Sequence, residues 1–391
     1  MKLSNRSSMG NKIILVLMIT ALILITACGK KDTGDKLNYE IKTVSGVKVF
    51  ANDKTPSVDK IEMNVVEQFT INGDVEDELQ SFAIQQPTFD IDKEGNIYVV
   101  DIKSSSLKKF DKDGNFVAQL GRKGTGPGEF FMPMSVITAN DTIYGFDARM
   151  KINKYDMSNN FVSAISISPT DGNPMMLKRA GDNFVGYRVS TEQKNSKIFI
   201  ILSLTVIDRK FNTIRTIAQN KIEFDPAKPF NPLDLITFFA VGENKVFVAE
   251  KSADIFKIKV YDFEGNNIYN ITKNFRKVKY SKKEIELANK AFADAARNTP
   301  GTPEMKFESR FKEAITGMWY DKNDRLWVGT AIEDDGSEGF SKKMILDVFK
   351  DGVFLNSYTF QQEVEAAPID FINDKLIIIN TQDSKIKVYD Y

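Results

Sequence analysis

The 391-residue chain contains no histidine. That absence removes Ser-His-Asp and Cys-His catalysis, histidine-ligated zinc and histidine general-base chemistry together. Cysteine is nearly absent too: Cys28 is the only one, so no intramolecular disulfide supports the fold and packing must hold it. Tryptophan occurs twice, at 319 and 327. An excess of one charge is also missing, since 53 Lys and Arg stand against 53 Asp and Glu. Without a basic surplus, nucleic acid is not expected as a partner.

One long apolar run exists, Ile13 to Ile25, preceded by Lys2, Arg6 and Lys12 and followed by Thr26-Ala27-Cys28. As a helix it spans about 20 Å, short of the roughly 30 Å hydrocarbon core. Residues 1–27 therefore read as a secretory signal rather than a membrane span. The Ile25-Thr26-Ala27-Cys28 sequence resembles the bacterial lipobox. That resemblance implies cleavage before Cys28, a diacylglycerol on its sulfur, and stable attachment to the membrane through several acyl chains. The expected location is the bacterial cell envelope, on the outer membrane. Cleavage leaves 50 Lys and Arg against 53 Asp and Glu. Residues 28–45 are expected as a flexible tether and 46–391 as the folded domain.

What the rest of the chain has is repetition. Six copies of a polar two-residue turn followed by an apolar strand begin their strands at Ile97, Ile143, Phe184, Val246, Leu326 and Leu376. The spacings, 46, 41, 62, 80 and 50 residues, suit four-stranded propeller blades of about 40 to 50 residues with two insertions. A second hairpin signal runs in phase, with Asp, Asn and Gly between apolar residues at 111–115, 156–160, 208–212, 262–266 and 350–352. The sixth copy stops at Tyr391, where its fourth strand should begin. The strand-like stretch 61–71 precedes the first copy without a partner, and is expected to supply that strand and close the ring.

The longest interval reads as helix. Ser281-Lys-Lys-Glu284 is a capping box, and Ile285, Ala288, Phe292 and Ala296 follow at helical spacing. Glu304 to Ile315 is expected as a second helix. The fold class is thus all-β, a six-bladed β-propeller with a small helical insertion, about 278–315, between blades four and five.

The glycine-rich stretch Gly121 to Phe130, with Met132-Pro133 after it, is similar to the linker that joins blades in NHL-repeat propellers. Ile97 to Asp101, leading to Leu107 to Asp111 and Gly114, resembles the NHL unit, and Lys385 to Asp390 repeats its second half. From about Val47 to Tyr391 the chain resembles bacterial six-bladed β-propeller lipoproteins with NHL- and TolB-like repeats. Arg188 and Thr330 depart from the pattern, standing where the repeat has Asp. The resemblance implies a fold; propellers host lyases, lactonases, scaffolds and receptors alike, so function must be argued from a site.

Pro133 and a strand follow the 121–130 segment, so it reads as an interblade linker rather than a phosphate cradle on a helix N-terminus. Asp90 to Asp101 has the spacing of a calcium loop but alternates like a hairpin and ends in Asp, so a solvated turn is the reading adopted. Trp327 is expected in the core. Loops that enter each blade share one face with the hairpins joining its second and third strands, around the central channel. These contribute the candidate ligand-binding residues Arg122, Lys123, Glu129, Asp147, Arg149, Arg188, Glu250, Lys251 and Asp254, with Trp319 as a candidate sugar-stacking aromatic. The function expected is non-catalytic binding or scaffolding for a glycan, peptide or envelope protein partner, without a cofactor. The alternative is a hydrolase of lactonase type, holding a divalent metal ion through Asp, Glu and Asn in the channel. No residue is assigned a catalytic role.

Overall fold

A computed structural model describes residues 38–58, 65–84, 89–168, 171–225, 228–298, 304–336, 341–361, 369–373 and 375–391. The signal, Cys28 and the first part of the expected tether lie outside the described residues. The chain begins with β1 (Tyr39–Val44), β2 (Val47–Asn52) and β3 (Val66–Asn72). Sheet one follows with β4 (Phe89–Ile91), β5 (Ile97–Asp101), β6 (Ser106–Phe110) and β7 (Phe116–Leu120). Sheet two is β8 (Pro133–Ala139), β9 (Thr142–Asp147), β10 (Lys151–Asp156) and β11 (Phe161–Ser166). Sheet three is β12 (Met175–Ala180), β13 (Asn183–Lys194), β14 (Lys197–Ile207) and β15 (Thr213–Phe224). Sheet four is β16 (Phe239–Val241), β17 (Val246–Ala249), β18 (Lys257–Tyr261) and β19 (Asn267–Lys273), followed by helix α1 (Lys282–Asn298). Sheet five is β20 (Ile315–Tyr320), β21 (Leu326–Thr330), β22 (Lys343–Lys350) and β23 (Val353–Gln361). Sheet six is β24 (Ile369–Ile372), β25 (Lys375–Asn380) and β26 (Lys385–Asp390), completed by β3.

Each sheet holds four strands paired antiparallel, in chain order in sheets one to five and with β3 as the fourth strand of sheet six, which is the blade of a propeller. The outer hairpins are built by one local device. In Asp111–Asn115, Asp156–Asn160, Asp208–Asn212 and Asp262–Asn266 the aspartate accepts the backbone N–H of the asparagine four residues on, at 2.7 to 2.8 Å, while its other oxygen accepts that asparagine's side-chain amide. The fourth residue of each turn sits at positive φ: Gly114, Asn159, Phe211 and Gly265. The Asn160 backbone N–H and side-chain amide hold Asp156 below the usual carboxylate range, and the Asn266 amide does the same for Asp262.

The core lies between sheets rather than within one. Six clusters of buried side chains each join two consecutive sheets. The one that joins the ends of the ring packs Ile377, Ile379, Ile386 and Val388 of sheet six on Ile91, Ile97, Val99 and Phe110 of sheet one. Closure is carried by β3, which pairs antiparallel with β26 from Asn72 opposite Lys385 to Val66 opposite Asp390. The expected closing strand is found there, running from Val66 to Asn72; residues 61–64 lie outside the described residues.

Two expectations are corrected. The tether range 28–45 ends in a strand, because β1 pairs with β2, and β2 adds in parallel to β19 at the outer edge of sheet four. Asn52 fixes this addition by donating to the Gly352 carbonyl at 2.9 Å and accepting the Phe354 N–H at 2.8 Å, which stitches sheet four to sheet five. Residues 304–315 form no second helix. Met305, Phe307, Ser309 and Phe311 alternate with exposed neighbours, a period of two, and the segment pairs through Phe230 with Met305 and Lys279 with Phe311 before Ile315 opens β20. The helical part of the 278–315 insertion is therefore α1 alone. Its capping box forms as expected, with Ser281 N–H to Glu284 at 2.9 Å and Glu284 N–H to the Ser281 hydroxyl at 3.1 Å. Buried Lys312, bonded to Glu284 and to the Ile332 carbonyl, docks the helix on the ring.

Candidate functional site

Antiparallel alternation puts the blade-entry linkers and the hairpins between second and third strands on one face. Asp147, at the end of β9, is fully buried there. One of its oxygens accepts the N–H of Phe131 at 2.6 Å and of Met132 at 3.2 Å, the other accepts the Arg149 N–H at 2.9 Å, and its carbonyl accepts the Asn173 amide at 3.2 Å. Asp101 does the same work in sheet one, accepting Ala83 N–H at 3.0 Å and Lys103 N–H at 3.0 Å. These terminal aspartates of the repeat tie the incoming linker to the hairpin beside it.

Arg188 makes the same tie with reversed polarity. It donates to the linker carbonyls of Asp171 at 3.1 Å and Gly172 at 2.5 Å, and to the Phe211 carbonyl. Burial pulls its guanidinium below its ordinary pKa. Asp147 and Arg188 are thus held inside the fold rather than turned toward a ligand. Trp319 is likewise engaged: its indole N–H donates to the Ile369 carbonyl at 2.8 Å, and its ring packs between sheets five and six near Phe371. Trp327 is fully buried in the same cluster, as expected.

The other candidates are at the surface. Arg122 pairs with Glu129 at 2.9 Å in the interblade linker, and the Gly126 N–H and then Arg122 hold Glu129 below the usual carboxylate range. Lys123 is exposed in that linker. Glu250 bridges Lys257 at 3.0 Å and Lys259 at 3.4 Å, Lys251 donates to the Leu233 carbonyl, and Asp254 pairs with Lys277. Arg149 lies over the Phe131 ring at 4.1 Å.

The innermost strands carry two ion pairs between non-adjacent sheets. Lys178 of sheet three pairs with Asp370 of sheet six, the opposite blade of a six-fold ring. Arg179 bonds Asp90 and the Ile91 carbonyl of sheet one together with the Thr138 hydroxyl of sheet two. These pairs link non-adjacent blades across the ring. In the stretch with calcium-loop spacing, Asp90 takes Arg179 and Thr138, Asp92 caps its own hairpin, and Asp101 ties the linker. Among the described residues no group of three or more His, Cys, Asp or Glu side chains converges as metal ligands.

Sequence reasoning missed the apolar part of this face. Phe131, Met132, Met134, Met175 and Met176 are each between 39% and 53% exposed. Phe131 and Met132 hang on the Asp147 carboxylate, Asn173 leads into Met175, and Met134 and Met175 sit at the starts of innermost strands β8 and β12. Together they border the channel mouth at sheets two and three. The signal was available in Phe130-Phe-Met-Pro-Met134 and Pro174-Met-Met176, which are apolar where a blade-entry loop should be polar.

A family model, DUF5128, described as a 6-bladed beta-propeller, matches residues 81–298. The chain belongs to this family. Among solved structures, a Bacteroides fragilis protein described as exported is 13% identical with a TM-score of 0.50, covering 87% of this chain and 98% of that one. A duf4221 family member from Bacteroides vulgatus is 10% identical with a TM-score of 0.43, covering 83% of this chain and 97% of that one.

 The first of these likenesses shows the fold alone. No curated protein matches the chain.

Proposed function

We infer that the protein is a lipid-anchored, non-catalytic propeller of the cell envelope that binds a peptide or protein partner at the channel mouth beside sheets two and three. The observation that carries this reading is the exposed set Phe131, Met132, Met134, Met175 and Met176 on the entry loops and first strands of sheets two and three, with Phe131 and Met132 held by Asp147. Exposed methionines adapt to varied apolar partners, and an apolar cluster on a rigid ring suits binding more than solvation. Trp319 spends its indole between blades, which favours a peptide over a sugar. The anchor rests on the lipobox resemblance at Cys28. Among the described residues no helix is long and apolar enough to cross a membrane.

The test uses the full chain in cells, with a photo-crosslinking residue in place of Met175. Crosslinking to a protein of the membrane fraction is expected, and is to fall when Phe131→Ser and Arg149→Ala are added, while the melting temperature of the purified variant stays unchanged. Cys28→Ala is expected to move the protein to the soluble fraction. Undiminished crosslinking in the Phe131→Ser, Arg149→Ala variant contradicts the proposed site; membrane retention of Cys28→Ala contradicts the anchor.

A further inference from the structure

The longest hairpin among the described residues, β13–β14, rises from the channel-mouth face and carries an edge that no other described strand covers. β12 pairs with β13 only as far as Met175 opposite Tyr187, whereas β13 continues to Lys194, paired on its other side with β14 at every position from Phe184 to Lys194. The two-residue turn Asn195-Ser196 has φ of 52° and 61°, the geometry of a primed hairpin turn. Its flanking residues Lys194 and Lys197 therefore bond each other, and alternation follows along the strand. Gln193, Thr191 and Val189 must then aim their N–H and C=O groups away from β14, as Tyr187 does toward Met175. A Cβ on Gly172 would meet the Val189 carbonyl at 2.8 Å, so the linker covers the edge up to Val189 and leaves Thr191 and Gln193 beyond it. Both are exposed.

Natural sheet edges are usually blunted by proline, by a bulge or by charge. Between Val189 and Gln193 there is no proline, and the one charged residue, Glu192, is paired with Lys221. Beside the edge lie the exposed Met175, Met176, Val189 and Ile198. Cations stand at both ends of this stretch: Lys194 beside the turn, and Arg149 two residues after Asp147, whose carbonyl holds Asn173 of the linker.

We propose that the free edge of β13 takes up an extended segment of a partner protein, alternating apolar and acidic residues, by strand addition. This rests on the channel-mouth reading above and specifies its mode. The backbone groups of Thr191 and Gln193 supply the pairing, the methionines receive alternate apolar side chains, and Lys194 and Arg149 select for acidic ones.

The experiment uses the purified mature protein and a panel of synthetic ten-residue peptides alternating Leu or Val with Glu or Asp, followed by fluorescence anisotropy. The Thr191 and Gln193 amides are expected to exchange rapidly with deuterium in the free protein and to become protected when a panel peptide binds. Thr191→Pro with Gln193→Pro, which removes only outward-facing donors, is expected to weaken that binding at least about tenfold at unchanged melting temperature. If the double variant melts early, Gln193→Pro alone, next to the turn, replaces it. The proposal is overturned if no peptide binds, if the proline variant binds as well as the parent, or if the free protein is a dimer with these amides already protected. Loss of binding in Phe131→Ser with none in the proline variant sinks strand addition and leaves the channel-mouth reading standing; loss in neither sinks both.

Discussion

Phe211→Ala is expected to lower the free energy of unfolding by about 3–5 kcal/mol. Phe211 occupies the fourth position of the Asp208–Asn212 turn, where φ is +63° and the equivalent hairpins of sheets one and four use Gly114 and Gly265. A bulky side chain in the left-handed region costs roughly 1–2 kcal/mol. The ring offsets that cost, because it is 2% exposed and inserted between sheets two and three. It stacks on Phe184 at 5.4 Å and meets the edges of Tyr144 and Phe146, each at 5.3 Å. Alanine loses the packing and keeps the strained backbone, whereas glycine loses the packing and relieves it. Phe211→Gly should therefore be more stable than Phe211→Ala by about 1 kcal/mol, opposite to the order found in regular strands. Urea unfolding of the two variants measures both differences. An alanine variant within 1 kcal/mol of the parent would remove Phe211 from the inter-blade core.

The second large effect is expected at Asp347. Its side chain is 1% exposed and accepts from the Lys273 ammonium and the Ser357 hydroxyl. Lys273 reaches in from sheet four, lying 4.4 Å over the Phe354 ring and 5.3 Å from that of Phe256. Asp347→Ala leaves this ammonium without its counter-charge among aromatic rings, an arrangement that costs about 3–5 kcal/mol. Removing both charges together, in Lys273→Met with Asp347→Leu, should recover most of the loss, since an apolar pair of similar volume needs no compensation. Equal instability of the single and double variants in urea would show that shape, not charge, governs the site.

The parts of this fold written in turns and periods were legible in the sequence. Asp, Asn and Gly at fixed offsets mark the hairpins because few other residues tolerate their backbone, and a truncated sixth repeat calls for a strand from elsewhere. What escaped was written in other terms. Tyr39–Val44 is exposed nearly throughout and is held by backbone pairing, so no apolar period announces β1. Residues 304–311 carry enough apolar side chains to suggest a helix, yet their period is two. Arg188 was visible as a departure from the repeat, but its role depends on linker carbonyls that no sequence pattern places beside it. The exposed methionines carry no charge pattern; their signal is apolar residues in a loop that is otherwise polar.

The central claim is a ring of six sheets closed by β3 against β26, and a disulfide tests it most directly. Thr70 stands opposite Lys387 in that antiparallel pair. Directly opposed residues have Cα atoms about 4.5–5.5 Å apart, within the range a disulfide spans. In mature protein with Cys28 replaced by alanine, Thr70→Cys with Lys387→Cys is expected to form an intramolecular bond on mild oxidation, with the two strand peptides linked in a non-reducing digest of the monomer. Free thiols, or links found only between molecules, would contradict the closed ring.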